Sequence, residues 1–403
     1  MGDYKILEFE EDKSLSYEKQ DDYLIKNCNF LHRHAKLVKL LRPIWCENVF
    51  VNGLENINST KKPILFILNH RGYYDILDLL PVWSEISNPP AISIVGRDNY
   101  TKIKSLDFLF NSYISPVLSS IKRISTDNLY DSDKEQREHN EKRMIQVQEF
   151  MENGSCSAIL PEGTSRTNGA INNLKKWGVW RLSHKREKGD VKYIVNLLPV
   201  GNTSELMLSK WNRHLTYANV GKEFHYAPSE FFEGETLDEY FKRDMNNFSS
   251  IVKNKLIELQ TITMSQIGGL YLTKIFNQVG DLFGKDGLSR AINESYNRLN
   301  EIADNRSLFL DNNFLNEFET REMFERYFSN LKKQEYISSF DDVLHQININ
   351  HFFEIPDNSH YKKENPQRYM INGLLDIAKN RPAVKRSLEA SLNIPDLNKF
   401  EIR

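Results

Sequence analysis

Five consecutive apolar residues, Ile64 to Leu68, run into Asn69 and His70, and an apolar-periodic segment opens at Asp75. A run this short, bounded by polar residues, fits a strand buried on both faces of a parallel sheet. Ile76, Leu77, Leu79, Leu80 and Trp83 then share a helical face, which predicts a helix over 76–86. Asn69 and His70 therefore stand where a strand's carboxyl end feeds a helix, the usual address of a site in an open α/β sheet. Gly72 gives the turn between them the freedom its change of direction needs.

Of the ten histidines, His70 alone has an aspartate five positions later, Asp75. On one continuous helix that spacing keeps two side chains apart, since neighbours lie three or four positions away. With His70 in the loop and Asp75 in the first helical turn they can meet. The carboxylate would then hold one ring nitrogen as a donor and leave the other free as a base. The same two residues also fit a helix-capping aspartate beside a hydrogen-bonded histidine.

The rest of the chain repeats the strand-then-helix rhythm. Strands are expected at 47–54, 91–95, 122–126, 157–160, 193–200 and 215–221, and helices at 100–121 and 134–154. Such alternation argues for a mostly parallel central sheet flanked by helices on both faces. From about residue 259 the pattern becomes helical, over 288–303, 314–332 and 366–392, with loops rich in Asn, Asp and Ser. The expected organisation is a polar N-terminal segment (1–27), an α/β domain (28–258) and a helical C-terminal extension (259–403). At the head of the α/β domain, residues 28–45 form a basic amphipathic helix whose Arg33, Lys36, Lys39 and Arg42 meet no acid. That suits an anionic membrane surface as well as it suits packing on the sheet.

Composition excludes several classes. A formal net charge of −2 over 403 residues argues against a nucleic-acid partner. Three cysteines with no metal-ligand spacing imply a reducing, cytoplasmic setting. No apolar run approaches the roughly 18 residues of a spanning helix. His70 with Asp75 and Asp78 offers no familiar metal geometry, so no metal is expected.

Four blocks, in order, carry a resemblance: NHRGYYD (69–75), IKRISTD (121–127), LPEGTSR (160–166) and NLLPV (196–200). VNGLENI (51–57) and LKKWG (174–178) add to it. Together they resemble the glycerophospholipid acyltransferase family, whose members move a fatty acyl group from a coenzyme A or carrier-protein thioester to a glycerol phosphate. The resemblance covers about residues 30–258. It implies His70 as general base and Asp75 as its orienter, direct transfer without an acyl-enzyme, and no cofactor beyond the acyl-CoA or acyl carrier protein co-substrate. It also implies substrate contacts at Asn69, Arg71, Glu162, Gly163 and Thr164, with Lys122, Arg123, Arg166 and Lys175 as cations for an acceptor phosphate. The chain departs from the family where the second block ends Asp127-Asn128 instead of Asp-Arg, and where Ser165 separates Thr164 from Arg166. A lysophosphatidic-acid-type acceptor, another alcohol and an amine therefore all remain open, and the reading outside enzymes is a catalytically inactive lipid-binding protein. The expected location is the cytoplasm, peripheral on the inner face of a membrane.

Overall fold

The computed structural model describes residues 40, 43, 46–59, 63–70, 92–97, 118–121, 144–145, 147–149, 151–152, 156–162, 168–171, 174, 177–187, 190–208, 214–303, 308–356 and 364–400. The expected helices at 28–45 and 76–86, and the strand expected at 122–126, lie wholly or largely outside them.

A seven-stranded sheet organises the α/β part. In chain order its strands are β1 (Cys46–Asn52), β2 (Ile64–Leu68), β3 (Ile92–Arg97), β4 (Leu118–Ile121), β5 (Cys156–Ile159), β8 (Asn196–Glu205) and β9 (His214–Val220). Helix α1 (Leu54–Ser59) follows β1, and between β5 and β8 come helix α2 (Trp177–Leu182) and the strands β6 (His184–Glu187) and β7 (Asp190–Ile194), which pair as a separate hairpin. The sheet order is β1-β9-β8-β2-β5-β3-β4, and every neighbouring pair is parallel except β8 with β9. The sheet is thus mostly parallel, as the alternation predicts. All five residues of β2 are buried, which is why its sequence is apolar throughout and not alternating. Met144, Val147 and Met151, on the helix expected over 134–154, are buried beside it in the same core.

Two strands differ from expectation. Leu118 and Ile121 lie three positions apart and read as the end of a helical face, yet these residues pair with β3. The single strand expected at 193–200 is two, parted at Val195, whose N–H is taken by Ser183 O at 2.9 Å. The second of them, β8, runs on to Glu205 through residues poor in strand propensity, Gly201, Asn202 and Ser204.

That extension shapes the site. Leu68, at the end of β2, pairs with Val200, while Gly201 to Glu205 pair onward with β9 from Asn219 to Leu215. β8 and β9 therefore project past the carboxyl end of β2 as a shelf. Crossing it is the chain that follows helix α3 (Leu237–Glu258). Leu259 lies so close to Gly201 that a Cβ there would sit 2.4 Å from the leucine's own Cβ, so only glycine leaves room.

Beyond Leu259 the chain forms β10 (Thr261–Ile262), helix α4 (Met264–Gln278), β11 (Leu282–Gly284), helix α5 (Lys285–Ala303), β12 (Phe309–Leu310), helix α6 (Glu317–Lys333), β13 (Ile337–Ser339), β14 (Leu344–Ile347), helix α7 (Pro366–Asn380) and helix α8 (Pro382–Ser391). Capping boxes start α3 (Thr236 with Glu239) and α6 (Asn316 with Glu319). The helix expected over 366–392 breaks at Arg381 (φ −128°, ψ 88°), because a residue before proline is driven out of helical geometry. Two small sheets, β10-β12 and β11-β14-β13, stand among these helices. One hydrophobic core joins Leu65 and Ile67 of β2 to Leu256 of α3, Leu270 of α4 and Leu374 of α7. Among the described residues no helix is long and apolar enough to cross a membrane.

Candidate active site

Parallel pairing brings two of the sequence blocks to one edge. Ile67 of β2 stands opposite Ile159 of β5. His70 and Glu162 each lie three residues beyond that pair, at the carboxyl ends of adjacent strands. There His70 N–H donates to Glu162 Oε1 at 2.8 Å. Glu162 is 5% exposed and His70 9%. A hydrogen bond from a buried amide to a carboxylate is worth roughly 1.5–3 kcal/mol, enough to hold the His70 turn against the Glu162 turn.

Asn69 holds the same turn from the other side. Its Nδ2 donates to Asn202 O at 2.7 Å, and its Oδ1 accepts Asn202 N–H at 2.6 Å. The amide copies the two hydrogen bonds that a backbone residue would make to β8. The ladder is thus satisfied while the backbone turns away. Asn69 Oδ1 also accepts from Gln260 Nε2 at 3.3 Å. Asn69 is fully buried, and these bonds pin the turn.

The pinning continues across the shelf. Gln260 Oε1 accepts from Thr203 Oγ1 at 3.1 Å, and Thr203 Oγ1 accepts Thr261 N–H at 3.0 Å. Asn219 Nδ2 donates to Leu259 O at 2.8 Å and to Thr261 Oγ1 at 2.9 Å, while its Oδ1 accepts from Asn52 Nδ2 at 3.0 Å. A belt of neutral amides and hydroxyls thus runs from β1 to the end of β2. Sequence reading missed Asn202, Thr203, Asn219 and Gln260; the available signal was the polar stretch GNTSE where a buried strand should end.

A second buried polar group lies at the far end of β8. Glu205 Oε2 accepts from Ser265 Oγ at 2.5 Å and its Oε1 from Met207 N–H at 2.8 Å. Asp311 Oδ2 accepts Met264 N–H at 2.8 Å, and its Oδ1 accepts from the Tyr296 hydroxyl. Burial pushes the Asp311 carboxyl up to about 7, with Glu205 adding to the rise. Burial raises Glu205 too, opposed by its bond from Ser265.

Asn69, His70 and Glu162 are therefore brought together. Arg71, Asp75, Lys122, Arg123, Gly163, Thr164, Arg166 and Lys175 lie outside the described residues. As chemistry, the described part offers an imidazole at the mouth of a parallel sheet, its backbone fixed by a carboxylate and, through Asn69, by a neighbouring strand.

Residues 48–196 match the family model described as Acyltransferase, an interval running from within β1 to the first residue of β8. A search of curated proteins found no match. Among solved structures, the crystal structure of the 1-acyl-sn-glycerophosphate (LPA) acyltransferase PlsC from Thermotoga maritima is similar at 16% identity. The match covers 61% of this chain and 84% of that chain at a TM-score of 0.34, a likeness too loose to argue from.

Proposed function

We propose that this chain, whose residues 48–196 match the acyltransferase family model, moves a fatty acyl group from a coenzyme A or carrier-protein thioester to the hydroxyl of a glycerol-phosphate or lysophosphatidic-acid-type acceptor. His70 is the general base and Asp75 its orienter. The observation that supports this reading is the bond from His70 N–H to Glu162 Oε1 at 2.8 Å, which joins two motif blocks 92 positions apart at the edge where such a site belongs.

The step runs as follows. The imidazole takes the acceptor's hydroxyl proton as its oxygen attacks the thioester carbonyl. The tetrahedral intermediate collapses, the C–S bond breaks, and the thiolate leaves with the proton that His70 carried. No acyl-enzyme forms, and the reaction needs no cofactor besides the thioester. Glu162 serves twice: one oxygen accepts the His70 N–H, and lone pairs of the carboxylate accept a second acceptor hydroxyl. Lys122, Arg123, Arg166 and Lys175 supply cations for a phosphate, with Arg71, Gly163 and Thr164 as further substrate contacts. Asn69 supports the turn. The basic segment 28–45 holds the enzyme to the cytoplasmic face of a membrane, where its lipid substrates lie.

The test is a mass-spectrometric screen of acyl-CoA and acyl carrier protein donors against lysophosphatidic acid, glycerol 3-phosphate and amine acceptors. His70→Ala is expected to lower turnover by about 10²–10⁴-fold with circular dichroism unchanged; a variant as fast as wild type removes the base. Arg123→Ala and Arg166→Ala separate acceptors, because a lost phosphate contact shows chiefly as a raised acceptor KM. An unchanged KM in both favours the non-phosphorylated alcohol or amine left open by Asn128.

A further inference from the structure

Residues 169–171, which follow the Glu162 block, are held by the C-terminal region, as Asn69 is. Ile171 N–H donates to Asp376 Oδ2 of α7 at 2.7 Å, and both residues are buried. Two positions earlier, Gly169 adopts φ +91° and lies so close to α7 that a Cβ would sit 2.0 Å from Tyr369 O. On the other side of the site, Gln260 is 1% exposed and its Nε2 reaches both Asn69 Oδ1 at 3.3 Å and Leu256 O at 2.9 Å. These two attachments ride on one body. Gln260 begins the strap that leads into α4, α7 packs along α4, and Gln367 Nε2 of α7 donates to Ser265 O of α4 at 2.9 Å.

We propose that residues 259–403 are a clamp that sets the His70 turn and the Glu162 turn in register, with Gln260 the positioning residue on one side and Asp376 on the other. The proposal rests on the acyl-transfer reading for its kinetic consequence and on nothing but geometry for its structural one. The matched family interval ends at residue 196, so the clamp is built from chain outside the interval that supplies the base. Neither residue touches substrate; each acts through a backbone it holds. A base and an acceptor-binding turn fixed from opposite sides by one body keep their separation, and separation is what a proton transfer concerted with attack depends on.

The experiment uses the full chain with Gln260→Ala, Asp376→Ala, Asp376→Asn and, as a control of equal burial away from the site, Leu388→Ala in α8. Two readouts are taken: steady-state kinetics, and amide hydrogen exchange of the peptides carrying residues 69–70 and 168–171. Gln260→Ala and Asp376→Ala are expected to lower kcat by about 10- to 100-fold with KM little changed, and to speed exchange in both peptides. Asp376→Asn keeps an acceptor for Ile171 N–H and is expected to retain wild-type kcat. Leu388→Ala is expected to lower the urea midpoint while leaving kcat and both peptides alone. Wild-type kcat and exchange in the two alanine variants overturn the clamp, as does an equal fall of kcat in Leu388→Ala. If the wild-type protein turns over no thioester, the acyl-transfer reading fails and exchange alone decides: acceleration in both peptides upholds the clamp, and its absence overturns it.

Discussion

The two ends of the β8 extension bury comparable amounts of polarity in different currencies. Near Asn69 the groups are amides and hydroxyls bonded to one another: Asn69 to Asn202, Gln260 to Thr203, Asn219 to Thr261. Near Glu205 they are two carboxyls and a tyrosine, with Asp311 carried up to about 7 by burial. An amide belt holds the same hydrogen bonds at any pH, whereas a buried carboxyl changes its bonding when it ionises. The belt itself is thus insulated from titration, whereas the group at the far end of β8 carries carboxyls that titrate.

The largest expected effect comes from removing the belt's first member. Asn69→Ala strands the N–H and the C=O of Asn202, which Asn69 now satisfies at 2.6 and 2.7 Å. At about 1–3 kcal/mol for each buried group left unpaired, the loss is roughly 2–6 kcal/mol, read as a lower urea midpoint. Asn69→Asp keeps one acceptor but buries a charge, and is expected to fare no better at neutral pH. A stable Asn69→Ala protein would mean that water replaces the amide and that the belt does not fix the turn.

Next comes pH. The folded value of Asp311, about 7, lies above the roughly 3.9 of an exposed aspartate. The unfolded chain therefore releases this proton first. Stability from the protonated carboxyl is whole below about pH 4 and is lost as pH rises toward 7, on the order of 4 kcal/mol over the window. Urea midpoints at pH 5 and pH 8 should differ less in Asp311→Asn than in wild type. Asn69→Ala, which removes no titrating group, should keep the wild-type difference. If both variants flatten it equally, the two ends are not electrostatically separate.

Much of this was legible in the amino-acid order, and the part that was not has a physical reason. The run Ile64–Leu68 gives β2 to the residue, because a central parallel strand is buried on both faces and shows it. The meeting of the His70 and Glu162 turns follows once two such runs are adjacent and parallel. β4 was hidden because Leu118 and Ile121 fit a helical face as well as a short strand. The end of β8 was hidden because its polar residues answer to partners elsewhere: Asn202 to Asn69, 133 positions away, and Thr203 to Gln260, 57 positions away. Local pattern encodes burial, and it is silent about which distant amide makes a buried amide tolerable. The cations expected at the acceptor, and Asp75, lie outside the described residues.

The smallest effect is the most discriminating. α6 touches the α/β part through Arg326, whose Nη1 meets Glu47 Oε1 of β1 at 3.0 Å and Leu208 O at 3.3 Å, while Nη2 meets Glu322 at 3.1 Å. By charge this is a stronger contact than a 3.3 Å amide bond. By surroundings it is weaker: the Arg326 and Glu47 side chains keep 19% and 23% of their exposure, and water screens them. Arg326→Ala is therefore expected to cost no more than about 1 kcal/mol, with kcat unchanged. Gln260→Ala, which removes no charge, is expected to cost turnover. A fall in kcat from Arg326→Ala as large as that from Gln260→Ala would show that any loosening of the C-terminal region slows the enzyme, and the buried amide beside His70 would lose its special standing.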